Sequence, residues 1–80
     1  MQTLKQFLST MEPGTEILVS DNNCNICYDG ELDMDDEWLQ KLMNYNVTTT
    51  EQWDGEPLEI FLDKKVPLKN VHPDCRGDGY

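Results

Sequence analysis

Four residues in this sequence carry the side chains that zinc prefers, and they occur as two spaced pairs. Two residues separate Cys24 from Cys27, and two residues separate His72 from Cys75. Thiolate and imidazole groups are the usual ligands of tetrahedral structural zinc. The sequence therefore offers a complete four-ligand set, and one hypothesis is a small zinc-stabilised interaction module.

The spacing of these pairs also allows a reading without metal. Residues 28–71 separate them, which is longer than the usual separation in compact zinc motifs. If residues 24–28 form a regular strand, Cys24 and Cys27 point to opposite faces, because side chains alternate along a strand. On that reading Cys24 packs in the core, Cys27 is partly exposed, and no cofactor is expected.

The sequence lacks the combinations that catalysis requires. Paired carboxylates perform acid–base chemistry only where burial separates their pKa values, and these carboxylates fall on polar strand faces, turns and a helix start. No recognisable nucleophile motif accompanies the single histidine, His72, and the sequence has no glycine-rich phosphate loop. The acidic run from Asp29 to Asp35 resembles a calcium loop, but Met34 and Gln40 occupy positions that need glycine and glutamate. We therefore predict a protein that is not an enzyme.

The charge of the chain is strongly acidic and unevenly distributed. The 80 residues include 16 Asp and Glu against 6 Lys and Arg, a net charge of −10. Residues 12–63 hold 14 of those carboxylates and only one base, Lys41, a net charge of −13. Such a body repels nucleic acid and anionic membranes and attracts basic protein surfaces. We expect a basic protein surface as the partner, with no direct binding of nucleic acid or membrane.

The carboxylates expected to contact this partner lie at one predicted helix start and along the last predicted hairpin. Alternate residues of a strand rise by about 6.6 Å, which is comparable to the spacing of successive phosphates in a nucleic acid. A rigid body with such rows could imitate a nucleic acid; the alternative is that the acidic surface only keeps the protein soluble. The candidate residues are Glu31, Asp33, Asp35, Asp36, Glu37, Glu51, Asp54, Glu56, Glu59 and Asp63.

Two helices are predicted to support these positions. Apolar residues recur at helical spacing in Thr3–Met11, and Thr3 with Gln6 fits a capping box. A second helix is predicted over about Met34–Asn44, with Asp33 as its N-cap.

Four strands are predicted at Thr15–Ser20, Cys24–Tyr28, Val47–Trp53 and Leu58–Leu62. Asp54-Gly55 is the favoured two-residue type I′ hairpin loop. That loop would pair Val47 with Leu62, Thr49 with Ile60, and Glu51 with Leu58. The fold class is therefore α+β, in the order α-β-β-α-β-β, with a four-stranded antiparallel sheet and both helices on one face. Residues 1–63 form the predicted domain, and 64–80 a basic, flexible or loosely docked tail.

The chain shows no secretory signal and no apolar run that could span a membrane. Its three cysteines are an odd number, which favours a reducing compartment over a disulfide framework. These features predict the cytoplasm.

The run TLKQFL…EPGTEILVSDNN, followed by a hairpin, a helix and a closing DGEPLEIFLD, resembles the short acidic proteins encoded by bacteriophages and prophages. The resemblance covers residues 3–63 and carries over no functional residue by position. It implies a stoichiometric inhibitor of a host system, in the manner of anti-CRISPR proteins that mimic DNA or RNA. A third hypothesis, a sponge for a signalling nucleotide, would need a cluster among Lys64, Lys65, Lys69 and Arg76.

Overall fold

The computed structural model describes residues 2–76. Within them, the chain forms six main elements in the order α-β-β-α-β-β, which confirms the α+β class. These are α1 (Leu4–Leu8), β1 (Glu16–Ser20), β2 (Ile26–Glu31), α2 (Glu37–Gln40), β3 (Val47–Glu51) and β4 (Leu58–Leu62), and two 3-10 helices follow at Leu68–Asn70 and Pro73–Cys75. None of the helices in this part of the chain has the length and apolarity to cross a membrane.

Helix α1 begins at the predicted capping box. The Thr3 hydroxyl accepts from the Gln6 backbone N–H, and the Gln6 side chain accepts from the Thr3 N–H. The helix ends at Leu8, earlier than the predicted Met11. The Ser9 hydroxyl donates to the Lys5 carbonyl, as hydroxyls do where they compete with helical backbone bonds.

Helix α2 is much shorter than the sequence predicted, and its N-cap is Asp36 rather than Asp33. The Asp36 carboxylate accepts from the N–H groups of residues 38 and 39, whereas Asp33 accepts from the Asp35 N–H in a turn of its own. Asp33 and Asp36 therefore form two separate turns where one helical turn was predicted, because each side chain binds the backbone that follows it. After Gln40 the chain continues in tight turns, in which the Leu42 N–H donates to residue 39.

The sheet is mixed, with the strand order β2-β1-β4-β3. Both hairpins are antiparallel, but the central strands β1 and β4 pair in parallel. The prediction of a wholly antiparallel sheet is therefore wrong. The two hairpins themselves form as predicted, and this error concerns which strands join the hairpins and in which direction.

The second hairpin keeps its first predicted pair and loses the next two. Val47 pairs with Leu62 as expected, but an irregularity follows, so that Thr49 pairs with Phe61 and Glu51 with Glu59. The predicted Thr49–Ile60 and Glu51–Leu58 pairs are wrong because the chain gains one residue on β3.

The connection between β3 and β4 spans residues 52–57. Its turn is closed by the Glu56 N–H, which donates to the Trp53 carbonyl at 3.0 Å. Within this connection only Gly55 has a positive φ, +79°, whereas a type I′ turn needs a positive φ at Asp54 as well. The predicted type I′ loop is therefore wrong, although the glycine is required where it stands.

A single apolar cluster lies on one face of the sheet. Side chains of β1 and β4 that share this face are fully buried, including Ile17, Val19 and Ile60. The same cluster contains Leu4 from α1 and Leu39 from α2. Both helices therefore lie against this inner face, as predicted. The opposite face, which we call the outer face, is partly exposed to solvent.

Residues 64–76 belong to the folded domain, so the predicted boundary at residue 63 is wrong. Val66 and Val71 are fully buried in the core cluster. The His72 N–H donates to the Cys27 carbonyl on β2 at 2.9 Å. Burial of these two valines contributes to the free energy that orders the segment, although its sequence has no helical or strand periodicity. Residues 77–80 of the predicted tail lie outside the described residues.

Candidate functional site

The structure places the four candidate zinc ligands in different environments. Cys24 is exposed in the β1–β2 turn, Cys27 is buried, and Cys75 is half-buried. Among residues 2–76, no three His, Cys, Asp or Glu side chains form a group that could hold a metal ion. The fold therefore does not assemble the predicted set of Cys24, Cys27, His72 and Cys75.

The metal-free reading expected Cys24 in the core and Cys27 partly exposed, and the structure shows the reverse. In the β1–β2 ladder Val19 pairs with Tyr28 and Ser20 with Ile26, so that Cys27 is an extra residue on β2. This irregularity turns Cys27 inward. Cys24 has left the strand and adopts a positive φ of +64° within the turn. Strict alternation was therefore the wrong assumption.

The second pair contributes to packing against β2 and α2. The His72 ring meets the Trp38 and Tyr28 rings edge-on, with centroids 5.8 and 6.3 Å apart. Burial raises the pKa of the Cys75 thiol, and the nearby carboxylate of Asp29 raises it further. A raised pKa disfavours the thiolate that metal binding and nucleophilic chemistry require.

The first group of predicted carboxylates, residues 31–37, gathers beside the edge strand β2. Asp36 is half-buried as the helix cap, and Glu31, Asp33, Asp35 and Glu37 are exposed. The pKa of Tyr28 is raised by burial and then by the charges of Asp36, Asp33, Glu31 and Asp29. These carboxylates therefore act on a single side chain, and they lie together in space.

The second group divides between exposed and structural carboxylates. Glu51, Asp54 and Glu56 are exposed on the second hairpin. Asp63, by contrast, accepts from the backbone and side-chain N–H groups of Asn46, both at 3.3 Å. These hydrogen bonds connect the end of β4 to the start of β3. Because its carboxylate is used in this way, Asp63 is a poor candidate for contacting a partner.

The strand order places the two predicted groups at opposite edges of the sheet. The outer face connects them, because aligned residues of neighbouring strands point to the same side. Asp29, Leu18, Glu59 and Glu51 are consecutive partners and form one row across all four strands. The hydrogen bond from the Ser20 hydroxyl to the Glu59 carboxylate, at 3.1 Å, confirms that these side chains share this face.

Two carboxylates of the outer face were missed at the sequence level. Asp29 belongs to the row just described, and Glu16 pairs directly with Glu31 in the next row. Alternation within β1 and β2 was the available signal: Glu16 precedes Leu18 by two residues, and Asp29 precedes Glu31 by two.

The outer face carries like charges directly opposite one another. Glu16 faces Glu31 across β1 and β2, and Glu51 faces Glu59 across β3 and β4. Directly opposed like charges destabilise a sheet. These pairs therefore work against folding, so the stability of this chain does not account for them.

No basic side chain in the described part of the chain pairs with the predicted carboxylates. Within residues 2–76, none of the ten is within 4.0 Å of a lysine or arginine nitrogen, and the ion pair found there joins His72 and Asp74 at 3.9 Å. The nearby bases are engaged elsewhere: Lys41 and Arg76 lie over the Trp38 ring, 4.5 and 5.5 Å from its centroid. The outer face thus presents uncompensated negative charge.

The bases that a nucleotide site would need contact separate parts of the structure. Lys64 lines an open depression of about 300 Å³ together with residues 44–46 and Asp63. Arg76 donates to the Val71 carbonyl and lies over Trp38. A carboxylate beside Lys64 makes that depression unfavourable for an anionic ligand.

No protein-family model, curated protein or solved structure matches this chain.

Proposed function

We propose that this protein binds a basic surface of a protein that handles nucleic acid, and that it inhibits that protein by occupying the place of the nucleic acid. The observation that carries the proposal is the uncompensated row of carboxylates on the outer face, with Asp29, Glu59 and Glu51 spread across all four strands. The row lies on a sheet whose other face is fixed by the core. A rigid charged face of this kind suits fast, electrostatically steered docking.

The like-charge pairs support a role outside the molecule. Opposed carboxylates such as Glu51 and Glu59 weaken the isolated fold, and lysine or arginine from a partner would relieve that repulsion. Relief of the repulsion between the paired carboxylates would therefore make the free energy of binding more favourable. Solubility alone would not require carboxylates at directly opposed positions.

The setting we propose is the cytoplasm of a bacterial host, with the chain acting as a phage-type inhibitor. The resemblance to short acidic phage proteins supports this setting, as does the odd number of cysteines, which a closed disulfide framework would not have. Zinc has no support from the geometry, because the candidate ligands do not converge among the described residues.

The test begins with capture of partners from bacterial lysate, followed by affinity measurements on the purified partner. We expect a basic nucleic-acid-binding protein whose nucleic acid competes with this chain. Binding should weaken strongly between about 0.05 and about 0.5 M salt, because the Debye length falls from roughly 14 to roughly 4 Å.

A pair of charge-matched variants identifies the surface. The outer-face variant combines Glu16→Gln with Glu51→Gln, and the control variant combines Glu12→Gln with Asp74→Asn. Both gain the same charge, and Glu12 and Asp74 lie outside the sheet. We expect the outer-face variant alone to lose affinity while its stability is kept or improved. Equal losses in the two variants would show that only total charge matters and would contradict the proposal.

A further inference from the structure

The most exposed large apolar side chain of the described residues stands beside the acidic row. Trp53, in the β3–β4 connection, is 69% exposed. It lines an open groove of about 450 Å³, which we call the Trp53 groove; its other lining residues are Leu18, Asp54, Glu56, Pro57 and Glu59. The lining of the groove therefore combines three apolar residues with three carboxylates.

The contrast with Trp38 shows what the Trp53 ring lacks. Trp38 has Lys41 and Arg76 over its ring and the His72 ring at its edge. Within residues 2–76, no cation or aromatic ring contacts Trp53 in this way. An exposed indole beside three carboxylates offers a cation a surface for stacking.

The three carboxylates that line the groove favour one kind of cation over others. Asp54, Glu56 and Glu59 do not form a group that could hold a single metal ion, since no such group exists in residues 2–76. These three carboxylates can instead accept hydrogen bonds from several N–H donors of one extended cationic group. A guanidinium is planar, stacks on indole and bonds carboxylates with two parallel N–H groups, whereas an ammonium is a compact point charge.

We infer that the Trp53 groove is a docking site for arginine side chains of the partner protein, with a guanidinium stacked on Trp53 and bonded to the carboxylates of Glu56 and Glu59. The inference rests on the proposed function and names the part of the surface where contact is centred. It adds a preference for arginine over lysine, which a face that acted by charge alone would lack.

The test uses a short oligoarginine peptide and an oligolysine peptide of the same length as probes of the whole chain. In a ¹⁵N NMR titration the two indole N–H signals report separately on Trp53 and Trp38. We expect oligoarginine to bind more tightly than oligolysine and to shift the Trp53 signal, while Trp38, already covered by Lys41 and Arg76, shifts little.

Trp53→Ala should weaken oligoarginine binding by about threefold to fivefold, the worth of an exposed cation–π contact, and should abolish the preference for arginine. Ile26→Ala is the matched control, since Ile26 is an exposed apolar residue on the opposite edge strand. An unmoved Trp53 signal, or a loss below about twofold in Trp53→Ala, would overturn the inference.

The same variants on the captured partner separate the two proposals. If the partner binds with salt dependence and Trp53→Ala binds it as well as the wild type, the docking site is wrong while the proposed function stands. If oligoarginine binds at Trp53 but no nucleic-acid-handling partner is captured, the proposed function fails while the arginine-binding property of the groove stands.

Discussion

The segment that follows β4 should be indispensable for folding, although its sequence looks like a tail. Val66 and Val71 have no exposed surface and belong to the core cluster. The perturbation we propose is Val66→Ala combined with Val71→Ala, with Leu68→Ala as the control. Leu68 lies between the two valines, and its side chain is 47% exposed.

The magnitude follows from the carbon atoms removed from the core. Each Val→Ala change removes two buried carbon groups and leaves a cavity, which costs about 2 kcal/mol. The simple sum of the two changes is a loss of about 4 kcal/mol in the double variant. A domain of this size has a total stability of about 4–12 kcal/mol, so the loss is a third of it or more.

Urea unfolding followed by far-UV circular dichroism measures this loss. We expect a much lower midpoint for the double variant and a change within about 0.5 kcal/mol for Leu68→Ala. A chain truncated after Asp63 should show no cooperative transition, because the inner face loses both valines at once. If the double variant and Leu68→Ala unfold at the same urea concentration, the assignment of residues 64–76 to the core is refuted.

Four further results are expected. Asp21→Ala should cost about 2–4 kcal/mol in urea unfolding, because the fully buried Asp21 accepts backbone N–H bonds from residues 23, 25 and 66, whereas Asp35→Ala at an exposed site should cost under about 0.5 kcal/mol. Thr3→Ala should cost about 1 kcal/mol, measured in the same way, because it removes the cap of α1. In alkylation near pH 8 the exposed Cys24 should react quickly, and Cys75 slowly until the pH rises well above its usual pKa, because burial raises that pKa and only the thiolate reacts; equal rates would contradict the packing. Elemental analysis of the purified protein should find far less than one zinc per chain, and stoichiometric zinc would show that the two Cys/His pairs do meet.

Local signals in the sequence predicted the start of α1 and the four strands, overestimated the length of α2, and did not predict the long-range pairing. The Thr3–Gln6 capping box and the strand cores depend on neighbours within a few residues, and all of them appear in the structure. The parallel pairing of β1 with β4 joins segments about 40 residues apart, and nothing in either strand specifies its direction.

Small irregularities account for most of the remaining differences. One extra residue on β3 moved Glu51 from Leu58 to Glu59, and one on β2 reversed the exposure of Cys24 and Cys27. A shift by one residue exchanges the two faces of a strand, so register decides which carboxylates share a face. For that reason the sequence identified most of the acidic residues but not the row that connects them.

Trp53 was the other omission, and its signal was present. A large aromatic residue next to an Asp-Gly turn contributes little to a core, because turns are exposed. The exposed position of Trp53 among carboxylates is the observation from which the arginine-docking inference is drawn.

The measurement that tests the central claim most directly is the salt dependence of affinity for the captured partner, compared between the wild type and the Glu16→Gln, Glu51→Gln variant. We predict a steep fall in the wild-type affinity with rising salt, competition by the partner's nucleic acid, and a shallower fall in the variant. A salt-independent affinity, or one that nucleic acid leaves unchanged, would contradict it.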